Sequence, residues 1–234
     1  MKKYQKAIVR IKAILLFFFA VGCSEESLNE PVPTDEVSSA AIYGSRQGAD
    51  AFMAGILRRM RGQFTNFDAG GLNSMLYARS VKGNDLIQAN TWFTFDYEND
   101  NREPTYRRTS FTWNFCYYEI GQLNQFLLGV TSSESLSEVD KNELVGQAKA
   151  LRAYYYHQLV LEFCPAYSID PTYPAPPIYL GISVEGNPMS TMEEVYALIL
   201  EDLIDAVSKL SSARLDKSFV NINVAYAFVA QVYQ

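Results

Sequence analysis

Between Arg79 and Asp100 the chain gathers side chains that could hold a hydroxyl-rich ligand. They are the rings of Trp92, Phe93 and Tyr97, the carboxylates of Asp85, Asp96 and Asp100, the amide of Asn99 and the guanidinium of Arg79. A flat ring suits the apolar face of a pyranose, and planar carboxylate, amide or guanidinium groups suit paired hydroxyls. The same rings could instead pack onto neighbouring helices, as loop aromatics commonly do. Asp96, Glu98 and Asp100 also invite comparison with a glycosidase pair, which needs two carboxyls about 5 to 9.5 Å apart across a cleft. No nucleophile elbow, phosphate loop or metal motif accompanies them. Ligand contact and plain packing both stay open for these residues, and no cofactor is expected.

A second chemical position is Cys23. Ahead of it, Lys2, Lys3, Lys6, Arg10 and Lys12 precede an apolar run from Ala13 to Gly22, the layout of a secretory signal. Ten residues of helix cover about 15 Å, half of a roughly 30 Å hydrocarbon core, so the run is too short to span. Ala20-Val21-Gly22-Cys23 resembles a lipobox, with Ala20 where Leu is usual. In a lipobox small residues let a peptidase reach the bond before a thiol that takes a diacylglycerol. The other reading is a plain signal peptide followed by an ordinary cysteine. Residues 1–22 are thus expected to be a lipoprotein signal, with 23–40 a lipidated Cys23 and a flexible, Pro-containing tether.

The remaining chemistry-bearing residues are sparse. Cys116 and Cys164 could form a disulfide or stay as two buried thiols, since export permits either. His157 is the sole histidine, and with no second His and no Cys cluster a zinc site lacks a ligand set. It reads as a packed or rim residue. Beyond residue 22 the chain keeps fifteen basic residues against 26 acidic, a formal balance of -11. No basic stripe is available to neutralise phosphates, which argues against nucleic acid.

The elements that must position these residues are helices. Ser45 to Arg61 carries Ala49, Phe52, Met53, Ile56, Leu57 and Met60 on one face, with arginines at its end where cations suit the helix dipole. Residues 62–109, punctuated by Gly70-Gly71, Gly83-Asn84 and Asn99-Asp100-Asn101, read as loops with one or two brief helices or strands. Phe111–Leu128, Val139–Phe163 and Thr191–Leu210 each repeat apolar residues every three or four positions. Ser190 and Thr191, each followed three residues later by Glu, offer two overlapping capping boxes. Residues 164–188 hold six of the nine prolines and must form an irregular crossing. Arg152, at the edge of its apolar stripe, is expected in a buried ion pair with Asp202 or Glu201. Trp113 and Tyr117 stand at core spacing, and residues 221–234 begin a last, Ala-rich helix.

These stretches resemble the SusD/RagB family of outer-membrane nutrient-binding lipoproteins of Bacteroidota. WNFCYYEIGQLNQFL looks like the family's W-x3-Y-x2-I-x3-N pattern at Trp113, Tyr117, Ile120 and Asn124. LVGQAKALRAYYYHQLVLEF is similar to its E-A-x-x-L-R-A-x-x-Y helix, with Gln147 in place of the Glu. EEVYALILEDLIDAVSKL is similar to its E-V-Y-x-x-I-x-x-D-L helix. The resemblance implies a mainly α fold of TPR-like helix pairs, a long loop-rich segment and little β, with residues 41–234 as the N-terminal helical domain and the C-terminal half absent. It further implies a surface-exposed, lipid-anchored outer-membrane protein that captures oligosaccharide for a SusC-like TonB-dependent transporter. The family also includes RagB-like peptide binders, and a truncated remnant that binds nothing is a further reading. Ser24-Glu25-Glu26 resembles the export signal that sends such lipoproteins to the outer face.

Overall fold

The computed structural model describes residues 38–62, 66–89, 91–100 and 103–234; the signal-like segment, Cys23 and the tether up to residue 37 lie outside them. From residue 39 onward the architecture is helical. In chain order the helices are α1 Ser39–Tyr43, α2 Arg46–Arg59, α3 Leu72–Ser80, α4 Thr94–Tyr97, α5 Arg107–Ser132, α6 Glu138–Phe163, α7 Met192–Lys209 and α8 Ile222–Tyr233. One short antiparallel pairing joins β1, Pro174–Ala175, to β2, Ser190–Thr191.

Four of the helices begin on side-chain caps that satisfy otherwise orphaned backbone N–H groups, each worth about 1 kcal/mol. Ser45 accepts from the Gly48 N–H, Ser137 from Asp140 and Asn221 from Val224. Of the two capping boxes offered by the sequence, Thr191 with Glu194 forms, while Ser190 is taken into β2. α5 runs longer than its apolar pattern, starting at Arg107 rather than Phe111, while the loop-rich segment carries the brief helices α3 and α4.

The core is organised around α6. From Leu144 to Val160 almost every residue is buried, because α5 packs on one side and α7 on another, with α2 and α8 also against it. A helix enclosed on this scale buries nearly every face, its polar Gln147, Arg152, His157 and Gln158 included. The short link Ser133–Ser137 makes α5 and α6 antiparallel neighbours. Onto α5 lies Tyr43 of α1, so close that any Cβ at Gly129 would collide with its ring. At Gly71, φ is +72° and a Cβ would press on the Met60 carbonyl, so this turn into α3 requires glycine.

Buried charge is paired. Arg152 donates from Nε and Nη2 to the two Asp202 oxygens at 2.7 and 2.9 Å, which selects Asp202 over Glu201. Its Nη1 donates to Asn124 Oδ1 at 2.8 Å, and Asn124 Nδ2 in turn donates to the Tyr179 carbonyl at 2.9 Å. The ion pair therefore reaches the proline-rich crossing. Tyr117 Oη donates to the Pro177 carbonyl at 2.7 Å, and the Tyr179 N–H donates to Tyr156 Oη at 2.7 Å. Three side chains thus hold a segment whose prolines deny it a ladder of its own.

Between α2 and α5 a different arrangement appears. Glu119 is fully buried, with Arg59 Nε 3.2 Å from its Oε1, and the Arg59 guanidinium lies 3.8 Å from the centre of the Tyr118 ring. Burial pushes the Glu119 carboxyl up to about 7, and the Arg59 charge only partly opposes this.

The minor candidates resolve simply. Cys116 is buried and Cys164 half-buried, both as free thiols, so the disulfide is not the alternative taken. His157 is buried with its ring centre 6.3 Å from that of Tyr196, and burial lowers its pKa to about 4, which keeps the imidazole neutral. No helix among the described residues is long and apolar enough to cross a membrane.

Candidate functional site

The loop-rich segment meets the start of α5 and the end of α6 to form a small charged cleft of about 100 Å³. Its centre is Arg108, only 1% exposed, lying between two carboxylates. Arg108 Nη2 donates to Glu162 Oε1 at 2.9 Å and Nε to Asp96 Oδ1 at 3.4 Å, while Nη1 donates to Thr112 Oγ1. Lys82 Nζ adds a 3.0 Å bond to Glu162 Oε1, and Arg79 Nη1 donates to Gln158 Oε1 at 2.8 Å. Three cations thus face the buried Asp96 and the half-buried Glu162, so no charge is left isolated in the low-dielectric wall.

Asp96 carries an unsatisfied polar atom of this arrangement. Its Oδ2 is buried and has no hydrogen-bond partner among the described residues. Burial raises its pKa, opposed by the charges of Arg108 and Lys82. Phe95 and Tyr106, at 5.4 Å and 89°, form an aromatic wall of the same cleft, and Asp100 stands at its edge.

The remaining expected ligand residues are distributed around this centre. Trp92 is partly exposed, edge-on to Phe67 at 5.7 Å, with the Arg107 guanidinium 5.7 Å from its ring centre. Arg107 is held in turn by Asp68, at 3.1 Å from its Nε. Phe93 is buried with Ala78 and Val81 and edge-on to Tyr77 at 4.8 Å, so its ring packs the loop onto α3. Tyr97 and Asp85 are exposed. Arg79 points inward to Gln158.

Asn99 has a backbone reason to be where it is. Its φ is +56°, the left-handed conformation, directly after α4. The Asp100 N–H donates to the Phe95 carbonyl at 2.9 Å and the Asn99 N–H to that of Asp96 at 3.3 Å. These two bonds make a Schellman ending, which Asn tolerates better than most residues. It fixes Asp96 and Phe95 in the cleft.

Arg108, Glu162, Lys82 and Arg107 were not among the residues that the sequence pointed to. Arg107-Arg108 does stand immediately ahead of an aromatic helix, and Glu162 shares the α6 spacing, but neither feature shows that they meet. Among the described residues no group of three or more His, Cys, Asp or Glu side chains could hold a metal ion.

The comparisons with known proteins agree with this architecture. A family model described as "Starch-binding associating with outer membrane" matches residues 54–234. A SusD-like carbohydrate-binding protein from Bacteroides vulgatus superposes with a TM-score of 0.71 at 26% identity, over 81% of this chain and 41% of that one. A SusD superfamily protein from Bacteroides fragilis gives 0.71 at 23% identity, over 82% of this chain and 46% of that one. One from Bacteroides thetaiotaomicron gives 0.68 at 20%, over 81% and 42%. The last two identities establish a shared fold alone. The chain spans less than half the length of these solved structures. No protein of curated function matches it.

Proposed function

We propose, from the fact that this chain belongs to the SusD-like family, that it is a cell-surface glycan-binding protein which captures oligosaccharide and delivers it to a SusC-like TonB-dependent transporter. The observation that carries this reading is the family match over residues 54–234, whose description is starch binding at the outer membrane. The charged cleft and the aromatics beside it support a ligand position on the loop-rich segment. Trp92 would offer its ring to a sugar face, and the carboxylates of Asp96 and Asp100, which line the cleft, would accept hydroxyl hydrogens. Asn99, Arg79 and Asp85 belong to the same proposed surface, with Arg79 acting through the wall and Phe93 and Tyr97 shaping the loop. Function is binding, with no bond cleaved.

Isothermal titration of the chain with maltoheptaose and a panel of other neutral oligosaccharides tests this. Trp92→Ala should weaken binding by about tenfold, the equivalent of about 1.4 kcal/mol. Heat of binding that is absent across the panel for the folded chain would overturn the glycan reading, and a dissociation constant unmoved by both Trp92→Ala and Asp96→Asn would overturn the loop position.

Anchoring is a separate part of the proposal. Lipid on Cys23, behind the signal-like segment and ahead of Ser24-Glu25-Glu26, would hold the protein at the outer membrane; stable attachment needs more than one acyl chain. Cys23→Ser is expected to move the chain from the membrane to the soluble fraction. Unchanged fractionation would refute lipidation at this residue.

A further inference from the structure

The larger concavity of the molecule is elsewhere. A groove of about 590 Å³ runs between α5 and the proline-rich crossing, within the range of small-molecule sites. Its floor is Trp113 and Tyr117, ring centres 4.9 Å apart, with Tyr179 edge-on to Tyr117 at 5.7 Å. Gln122 and Gln125 of α5 and Ser183 of the crossing supply polar groups. A second concavity of about 570 Å³ shares Gln125 and Ile182 with the first and continues along α5 past Leu128 to Ser132. Gly121, Gln125, Leu128 and Ser132 recur every three or four residues, so the trough follows one face of the helix.

We propose that this trough is a second binding site, for a neutral oligosaccharide chain, separate from the charged cleft of the loop segment. The proposal rests on the glycan reading above. Three observations select the ligand class. The first concavity has no charged lining residue and the second has one, Glu134 at its far end, so an ionic ligand would be desolvated in the first without a counter-ion. An apolar segment laid in the groove would bury the amides of Gln122 and Gln125 unpaired, whereas sugar hydroxyls both donate to and accept from amides. The two adjoining concavities suit a chain of rings better than a single one.

The groove is also built before any ligand arrives. The wall carrying Pro177 and Tyr179 is fixed by Tyr117, Asn124 and Tyr156, and Asn124 is itself fixed by the Arg152–Asp202 pair. Asn124 has its amide committed on both sides and is a positioning residue. Gly121 leaves the floor open: a Cβ there meets nothing within 4 Å. Preformed walls of this kind reduce the ordering cost of binding.

The chain has two tryptophans, Trp92 at the loop segment and Trp113 in the groove, so each site has its own fluorescent reporter. With excitation at a wavelength that only tryptophan absorbs, Trp92→Phe leaves Trp113 as sole emitter and Trp113→Phe leaves Trp92. Both full-length variants, in a sugar-free detergent, would be titrated with maltoheptaose, then cellohexaose and xylohexaose as alternatives, with hexagalacturonate as the charged comparison. The expected result is a saturable change in Trp113 emission with a neutral chain. Filling the groove by Gly121→Phe or, from the opposite wall, Ser183→Phe should raise the half-saturation concentration at least about tenfold; circular dichroism identifies any variant that fails to fold, and the other then decides. A silent Trp113 beside a responding Trp92 overturns the groove and leaves the loop reading intact. A Trp113 response with Trp92 silent supports the groove and removes the loop position, while silence of both across the panel overturns the two together. A Trp113 response that survives both filling variants, or that is as strong with hexagalacturonate, also overturns the proposal.

Discussion

Replacing Arg152 by alanine is expected to destabilise the fold by about 3 to 5 kcal/mol, the usual loss when one partner of a buried ion pair is removed. Asp202 is 1% exposed, and without the guanidinium both its oxygens would lose their bidentate donor. Lys149 Nζ, 3.7 Å from Asp202 Oδ1, is the remaining nearby cation and is also engaged by Asp205 at 2.8 Å. Asn124 Oδ1 would lose its donor too, which loosens the bond that holds the crossing. Urea unfolding followed by circular dichroism measures the effect, and the melting temperature should fall on the order of 10 °C. The paired change Arg152→Met with Asp202→Leu should recover most of the loss, because no charge is then left buried alone. A single-variant loss below about 1 kcal/mol would show that the pair contributes little.

Glu119→Gln should make the protein more stable than its parent at pH 8.5 and leave it nearly unchanged at pH 4. Below about 4.5, its ordinary value, the Glu119 carboxyl is protonated in both the folded and the unfolded chain. As pH rises toward about 7 the unfolded chain ionises while the buried carboxyl resists, so stability is lost through that window. At about 1.4 kcal/mol per pKa unit, the full effect at alkaline pH is about 3 kcal/mol. Arg59, Tyr118 and the buried Tyr155 hydroxyl surround the group, and Arg59 supplies the opposing charge. Chemical denaturation of both proteins at the two pH values gives the comparison. A difference between them that does not vary with pH would defeat this account of Glu119.

Helix positions were readable because apolar residues recur at three and four along α2, α5, α6 and α7, and because Ser45 and Thr191 mark their starts. The Arg152 pairing was readable for a related reason: an arginine on the edge of an otherwise apolar stripe has to find an acid, and α7 offers one. The charged cleft was not readable in the same way. Its members come from α3 and its following turn, α4, and the ends of α5 and α6, and no spacing along the chain connects Lys82 to Glu162 or Asp96 to Arg108. Loop chemistry also misled in detail. Asn99 attracts notice as a hydrogen-bonding amide, yet its backbone closes α4, and Phe93 looks like a ring for a ligand although it packs on Ala78 and Val81. Glu119 follows two aromatics on a helix and gives no outward sign that α2 will bury it.

The crossing between α6 and α7 is held chiefly through its backbone, at the carbonyls of Pro177 and Tyr179 and the N–H of Tyr179. Leu180, Ile182 and Val184, just beyond, extend into solvent at 61%, 65% and 102% exposure. Substitutions at exposed positions of this kind usually change stability by less than about 0.5 kcal/mol. The segment therefore separates inheritance from experiment: the frame can be passed on intact while the rim residues drift, and each drifted rim presents a different surface on the same scaffold.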